Sequence, residues 1–204
     1  MSTSVGQNSS VRTGQRPRTK FCLVRHGSTD WNLENRIQGC TDTPLNQKGR
    51  EEVALLAESL QGQGWEFIIT SNLQRAQESG EILGAALRIP VFSYRELHER
   101  KFGPLEGMRF DEINARYPEG TGRLSLPGME TRAEIERRAL QAMRCLAELF
   151  RDRQIIIVTH GGFLRAFFRA GLGLERRAPV NAGKVEVEWD GAWRLIEGGE
   201  NNEL

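Results

Sequence analysis

Two short segments of the chain share a pattern of residues able to act on an anion. Leu23-Val24-Arg25-His26-Gly27 and Ile157-Val158-Thr159-His160-Gly161-Gly162 each run from aliphatic residues into an imidazole followed by glycine. An apolar run that stops this way reads as a buried strand whose end leaves the core. Imidazole can serve as nucleophile, base or donor near neutral pH, and Arg25 adds a permanent planar cation. The glycines after His160 let backbone N–H groups at a helix start approach a bound anion. If the two strands lie parallel, both imidazoles emerge at one sheet edge, where α/β folds bind ligands. Arg75 places a guanidinium in the first turn of another strand-to-helix unit, Ser71-Asn72-Leu73-Gln74-Arg75-Ala76. Alone, Arg75 reads as a solvated surface arginine and a strand-end histidine reads as structural; the repeated His-Gly ending is what points to an anion site.

The elements that must position these residues follow from periodicity. Strand-like apolar runs occur at Phe21–Val24, Phe67–Thr70, Val91–Tyr94 and Ile155–Thr159, with helical patterns between most of them. Such alternation predicts an α/β fold, a largely parallel sheet with helices on both faces. Helices are expected at Glu51–Leu60, ended by Gly62 and Gly64, and at Leu73–Leu87, with Asn72 as cap. Another runs from Arg132 to Phe150, where Ile135, Ala139, Met143, Leu146 and Phe150 form one stripe and Thr131 and Glu134 have capping-box spacing. A last helix follows His160, from Phe163 to about Gly171, and Lys184–Trp189 with Trp193–Ile196 reads as a hairpin turned by Asp190-Gly191. The Gly- and Pro-rich stretch Glu99–Met129, with one helical piece at Phe110–Tyr117, is expected to wall the binding site.

With 204 residues, 38% hydrophobic and 27% charged, the chain is expected to form one globular domain over residues 21–204 after a disordered basic tail at residues 1–20. The net charge of +1 gives no reason to expect nucleic acid or an anionic membrane as partner, so anion binding must be local. No run approaches membrane-spanning length. Cys22, Cys40 and Cys145 are too scattered for a disulfide framework, which places the chain in a reducing cytosol. Cys22 and Cys145 are expected to be small buried hydrophobes, and Cys40 is given no role.

Further motifs carry a family resemblance. Arg25-His26-Gly27-Ser28-Thr29 with Trp31-Asn32, then Arg36-Ile37-Gln38-Gly39, Asp42, Pro44-Leu45 and Gly49, precede Ser71, Leu73 and Arg75-Ala76. Leu97, Glu99, Gly103, Glu106-Gly107, Pro127-Gly128 and Thr159-His160-Gly161-Gly162 complete the series. In this order they resemble the histidine phosphatase superfamily, also called the phosphoglycerate mutase-like family, over Phe21 to about Ile196. The resemblance implies a three-layer α/β/α sandwich and a phosphomonoester substrate. Arg25, Arg75 and His160 would grip the phosphoryl oxygens, with Asn32 and the Gly161 N–H as neutral donors and Gln38 and Gly39 touching substrate. His26 would attack phosphorus to give a phosphohistidine, neutral on one nitrogen and pinned through the other. Glu99 would protonate the leaving alkoxide and then activate water, behind a partly apolar wall for which Phe102 is a candidate. His98, beside Glu99 on an extended segment, is expected to face away and be structural.

No cofactor is implied, and the three histidines lack carboxylate or cysteine partners at metal-ligand spacing. The expected partner is a small phosphorylated metabolite, sugar phosphate-like or taken with broad specificity. The alternatives are a cofactor-dependent phosphoglycerate mutase, an α-ribazole phosphatase and a non-catalytic phosphate-ligand binder. Against the mutase, only 60 residues separate Glu99 from His160, and Phe110 and Gly162 stand where mutases carry a lysine and an asparagine. Against the binder, His26, Arg75, Glu99 and His160 are all present.

Overall fold

The computed structural model describes residues 18–118, 120–121 and 124–196. Six strands form one sheet: β1 (Thr19–Arg25), β2 (Phe67–Thr70), β3 (Val91–Ser93), β4 (Gln154–Thr159), β5 (Lys184–Trp189) and β6 (Trp193–Leu195). Their spatial order is β3-β2-β4-β1-β5-β6. The first four positions in that order run parallel, and β5 and β6 add an antiparallel edge. The helices are α1 (Asp30–Leu33), α2 (Gln47–Leu60), α3 (Gln74–Leu87), α4 (Phe110–Arg116), α5 (Arg132–Leu149) and α6 (Gly161–Leu172).

The central strands are apolar on both faces because helices cover both. Phe21, Leu23, Ile155 and Ile157 pack with Ile135, Ala139, Met143 and Leu146 of α5 and Phe163 and Phe167 of α6. Their sequence neighbours Cys22, Val24, Ile156 and Val158 point the other way, toward Val53, Leu56 and Leu60 of α2 and Ala76 and Leu83 of α3. This strand alternation builds the three-layer α/β/α sandwich. Ile155 to Val158 are completely buried, each worth about 1.5–3 kcal/mol over exposure, which makes β4 a rigid platform for His160 and the helix beyond it. A third, smaller cluster of Ile37, Phe102, Leu105, Ile113 and Met129 anchors the irregular segment after Glu99.

Several boundaries differ from the sequence reading. β1 starts at Thr19, so Thr19 and Lys20 belong to the sheet, Lys20 pairing with Gln154 and Glu188. The expected disorder of residues 1–17 lies outside the described residues. α2 starts at Gln47, capped by the Asn46 side chain, which accepts from Gly49 N at 2.8 Å. Asn72 does not cap α3. The cap position is Leu73, whose N–H goes to Ser71 Oγ at 3.1 Å, while Gln74 N donates to Asp42 Oδ1 at 2.7 Å. A neighbouring serine and a distant aspartate thus replace a side-chain cap from Asn72, and the aspartate is a partner that local spacing cannot reveal. The capping box of α5 is present, with Thr131 Oγ1 accepting from Glu134 N. Cys22 is buried, but Cys145 is exposed: it falls off the apolar stripe of α5, next to Leu146 rather than on it.

Candidate active site

The two His-Gly endings sit side by side because β1 and β4 pair in parallel register, with Arg25 opposite Thr159. The His26 N–H continues the ladder to Thr159 O at 3.0 Å. The rings of His26 and His160 lie 5.1 Å apart between centroids, and both side chains are buried. His26 Nδ1 is 2.8 Å from Gly27 O. A carbonyl only accepts, so Nδ1 carries the ring proton, and Nε2, which makes no hydrogen bond among the described residues, keeps its lone pair. His160 is held through the opposite nitrogen: Nε2 is 2.7 Å from Ser71 Oγ, while buried Nδ1 has no partner.

Both rings are pushed well below the usual histidine range, first by burial and then by the positive charge of Arg75, with Arg25 adding to each. Arg75 is fully buried. It is no surface arginine: Nη2 donates to Gly39 O at 2.8 Å and Nη1 to Thr41 O at 2.9 Å, and Nε is buried without a partner. No carboxylate lies at ion-pair distance among the described residues, and burial lowers the guanidinium's pKa. Arg25 is similar: Nη1 donates to Pro179 O at 3.2 Å and its buried Nε is unpaired. Buried polar groups are nearly always satisfied, so the unpaired Arg25 Nε, Arg75 Nε and His160 Nδ1, on residues that surround the two histidine endings, are available to an incoming anion.

Residues 21–193 match the histidine phosphatase superfamily (branch 1). The chain belongs to this superfamily. It is 33% identical over 191 residues to the uncharacterized phosphatase PhoE of Bacillus subtilis, covering 91% of this chain and 97% of that protein. It is 35% identical over 179 residues to a 2,3-bisphosphoglycerate-dependent phosphoglycerate mutase of Gloeobacter violaceus, covering 82% and 80%. Among solved structures it resembles a mycobacterial glucosyl-3-phosphoglycerate phosphatase complexed with VO3, with a TM-score of 0.80, 26% identity, and 89% and 99% coverage. The chain is thus a histidine phosphatase enzyme in sequence and in fold.

Within this histidine phosphatase site, Glu99 is reached from the α6 side. Its Oε1 accepts from Arg100 N at 2.8 Å and Phe163 N at 3.1 Å, and Oε2 accepts from Gly162 N at 2.9 Å. The apolar wall expected around Glu99 is therefore a set of backbone donors, and Phe102 packs instead with Ile37 and Met129. The helix N-terminus read as a phosphate cradle is in part occupied by this carboxylate, leaving Gly161 as the part of it next to Arg25. Gly162 gives this carboxylate its room, because a Cβ there would displace Glu99 Oε1. His98 is largely buried, its Nδ1 bonding Glu99 O at 2.6 Å, and it supports the segment rather than entering the pocket. Cys40 Sγ lies 3.6 Å from the same nitrogen, and burial pushes its thiol up to about 11.

The neutral residues of the sequence reading act around this centre. Asn32 Oδ1 accepts from Thr29 and from Asn181 Nδ2, and among the described residues its own amide N–H groups have no acceptor. Gln38 is buried and accepts from Thr43 Oγ1 at 2.6 Å, and Thr43 in turn lies 3.4 Å from Arg75 Nη1. Sequence reasoning missed the supports. The Glu106 carboxylate accepts from Cys40 N, Thr41 N, Thr41 Oγ1 and Phe102 N, fixing the loop whose carbonyls hold Arg75. Gly39, at φ 54°, gives that carboxylate room. Ser79 Oγ donates to Arg75 O and accepts from Gly27 N, tying α3 to the His26 loop. Glu52 holds Ser28 through two bonds of 2.9 Å, and Asn181 donates to His26 O at 3.1 Å. Glu106 was visible as a motif residue, but nothing local tells a carboxylate that binds backbone from one on the surface.

Proposed function

We propose that this protein hydrolyses phosphomonoesters of small metabolites through a phosphohistidine intermediate, using arginines and histidine rather than a metal to neutralise the phosphoryl group. The observation that carries this reading is the trio of unpaired buried donors, Arg25 Nε, Arg75 Nε and His160 Nδ1, around a His26 whose Nε2 is free. The phosphoryl group sits among the three donors. His26 Nε2 forms a bond to phosphorus as the bond to the ester oxygen breaks, and Glu99 gives that oxygen its proton. Glu99 then takes a proton from water, whose oxygen attacks phosphorus and returns His26 to the neutral ring. Oε2, with one backbone donor against two at Oε1, is the oxygen with room for the proton. The Ser71 hydroxyl, already accepting from Leu73 N, gives its proton to His160 Nε2, which leaves Nδ1–H to donate to the phosphoryl group.

The Gloeobacter relative is named a mutase, and the test separates the two outcomes. The assay contains EDTA and offers p-nitrophenyl phosphate, sugar and nucleotide monophosphates, and 3-phosphoglycerate with 2,3-bisphosphoglycerate. Phosphate release that disappears in His26→Ala is the expected result. Isomerisation of phosphoglycerate with little phosphate release would replace hydrolysis by mutase activity, and binding without turnover would leave a ligand-holding protein.

A further inference from the structure

The loop that carries the first histidine is held from the far end of the chain. β5 pairs with β1 up to Lys184 opposite Val24, and the turn before it, Pro179-Val180-Asn181-Ala182-Gly183, continues that contact past the strand end. Gly183 N donates to Val180 O at 2.9 Å, which closes the turn with Asn181 and Ala182 at its centre, and Ala182 takes the left-handed conformation at φ 54°. Arg25 N donates to Gly183 O at 3.1 Å, Arg25 Nη1 donates to Pro179 O at 3.2 Å, and Ala182 N donates to Arg25 O at 3.0 Å. The turn therefore grips both the backbone and the side chain of the residue before His26. Its one polar side chain, Asn181, reaches further into the site. Nδ2 lies 3.1 Å from His26 O, 3.3 Å from Gly27 O and 3.2 Å from Asn32 Oδ1, on residues 149 to 155 positions earlier in the chain.

Each of these oxygens only accepts, so the end of the Asn181 amide that meets them is the donor; the amide turned over would set oxygen against three oxygens. Two of the three bear on the chemistry. Gly27 O is the carbonyl that takes the His26 Nδ1 proton, so Asn181 fixes the group that fixes the ring. Asn32 Oδ1 takes Asn181 Nδ2 beside Thr29 N at 3.1 Å and Thr29 Oγ1 at 3.0 Å, so that oxygen is fully used within the protein and the amide nitrogen is turned away from it. We propose that Asn181 is a positioning residue for the phosphoryl transfer, acting without touching substrate. It aims the Asn32 N–H groups at the phosphoryl oxygens, and it steadies the Gly27 carbonyl that sets the line of attack of His26. Small shifts suffice to make such support matter, because misplacing reacting groups by about 1 Å costs on the order of 10²-fold in rate. This deepens the phosphohistidine reading and rests on it.

The test is a double-mutant cycle on p-nitrophenyl phosphate with the full-length enzyme in EDTA. Asn181→Ala is expected to lower kcat by about tenfold to a hundredfold, with the smaller part of the effect in KM. Asn32→Ala is expected to cost a similar amount. Because one residue acts through the other, the double variant should fall short of the product of the two single losses by about fivefold or more. A residue that only packed the turn would give losses that multiply. That result, or a kcat in Asn181→Ala within about twofold of the parent, overturns the proposal. Should the alanine variant fold poorly, Asn181→Asp, of the same shape but with a carboxylate in place of the donor, is carried through the same cycle and read in the same way. Were His26→Ala to turn over at the parent rate, the phosphohistidine reading would fall separately. The cycle would then be read calorimetrically in the affinity for inorganic phosphate, coupled losses supporting the hold of Asn181 on Asn32 and independent ones overturning it.

Discussion

The two His-Gly endings are built alike and used differently. Both follow a parallel central strand, both rings are buried, and both are shifted in the same direction by burial and by Arg75. What separates them is which nitrogen is held. His26 is pinned at Nδ1 by the carbonyl of its own neighbour Gly27, so Nε2 faces outward with a lone pair. His160 is pinned at Nε2 by Ser71, from another strand end, so the buried Nδ1 is the nitrogen left without a partner. A carbonyl dictates the tautomer and a hydroxyl adapts to it, which suits one ring to the proposed part of nucleophile and the other to that of donor. The chain after each ring reinforces the split: a loop leads away from His26, whereas α6 begins directly after His160.

The largest effect should come from breaking the nucleophile. His26→Ala is expected to lower kcat on every monoester by about 10⁴-fold or more, because no other group in the pocket can form the covalent intermediate. Inorganic phosphate should still bind, since all three unpaired donors remain. A variant turning over at a tenth of the parent rate would show that the two endings do not differ as their hydrogen bonds indicate.

Removing the donor should cost less. His160→Ala is expected to lower kcat by about 10²–10³-fold, the usual loss for one preorganised donor to a transition state. Ser71→Ala, which leaves the ring but frees it to turn, should cost roughly tenfold by the same reasoning. If Ser71→Ala proved as damaging as His160→Ala, the serine would be acting on substrate directly.

The glycines after the two rings offer a finer contrast. Gly162→Ala puts a Cβ onto Glu99 Oε1, so the carboxylate must leave the helix start. Alanine inside a helix is favoured over glycine by up to about 1 kcal/mol, so the variant should lose little stability while losing activity. The loss should be roughly tenfold greater on alkyl than on aryl phosphates, because only a poor leaving group needs the acid. Glu99→Gln should show the same selectivity more strongly. Equal losses on the two substrate classes would remove the proton-transfer role from Glu99.

Much of this was legible in the sequence, for identifiable reasons. Strands β2 and β4 and helix α5 are marked by continuous apolar runs and a clear stripe, and the repeated His-Gly ending announced a shared edge. The motif order was enough to bring Arg75 and Glu99 into the same reading. What local pattern could not show is what long-range contacts decide. Asp42 holds the first helical N–H of α3 from far back in the chain, and Glu106 braces a loop more than sixty residues earlier. Arg75 reads as a surface residue by its place on a helix and is the largest fully buried side chain among the described residues. Its burial is stable only because carbonyls of the 39–41 loop turn inward to meet it.

The smallest expected effect concerns stability, and it tests what the two rings share. His26, His98 and His160, all the histidines in the chain, have native pKa values below the ordinary 6.5, so protonating them opposes folding. A group whose pKa is lowered on folding binds more protons when unfolded. Its contribution is therefore complete above about pH 6.5 and declines as pH falls below that toward the native values. The lowered carboxylates, such as Glu66, Glu134 and Glu186, begin from 4.5 and enter only in more acid solution. The urea midpoint should thus drop between pH 7.5 and 5.5, and less in a His26→Asn/His160→Asn double variant. Saturating inorganic phosphate should reduce the drop in the parent, because an anion beside the pocket arginines offsets the charge that disfavours a protonated ring. A midpoint flat across that interval would mean that the rings take up protons as readily folded as unfolded, and the shared electrostatic half of the comparison would fail while the difference in their hydrogen bonds stood.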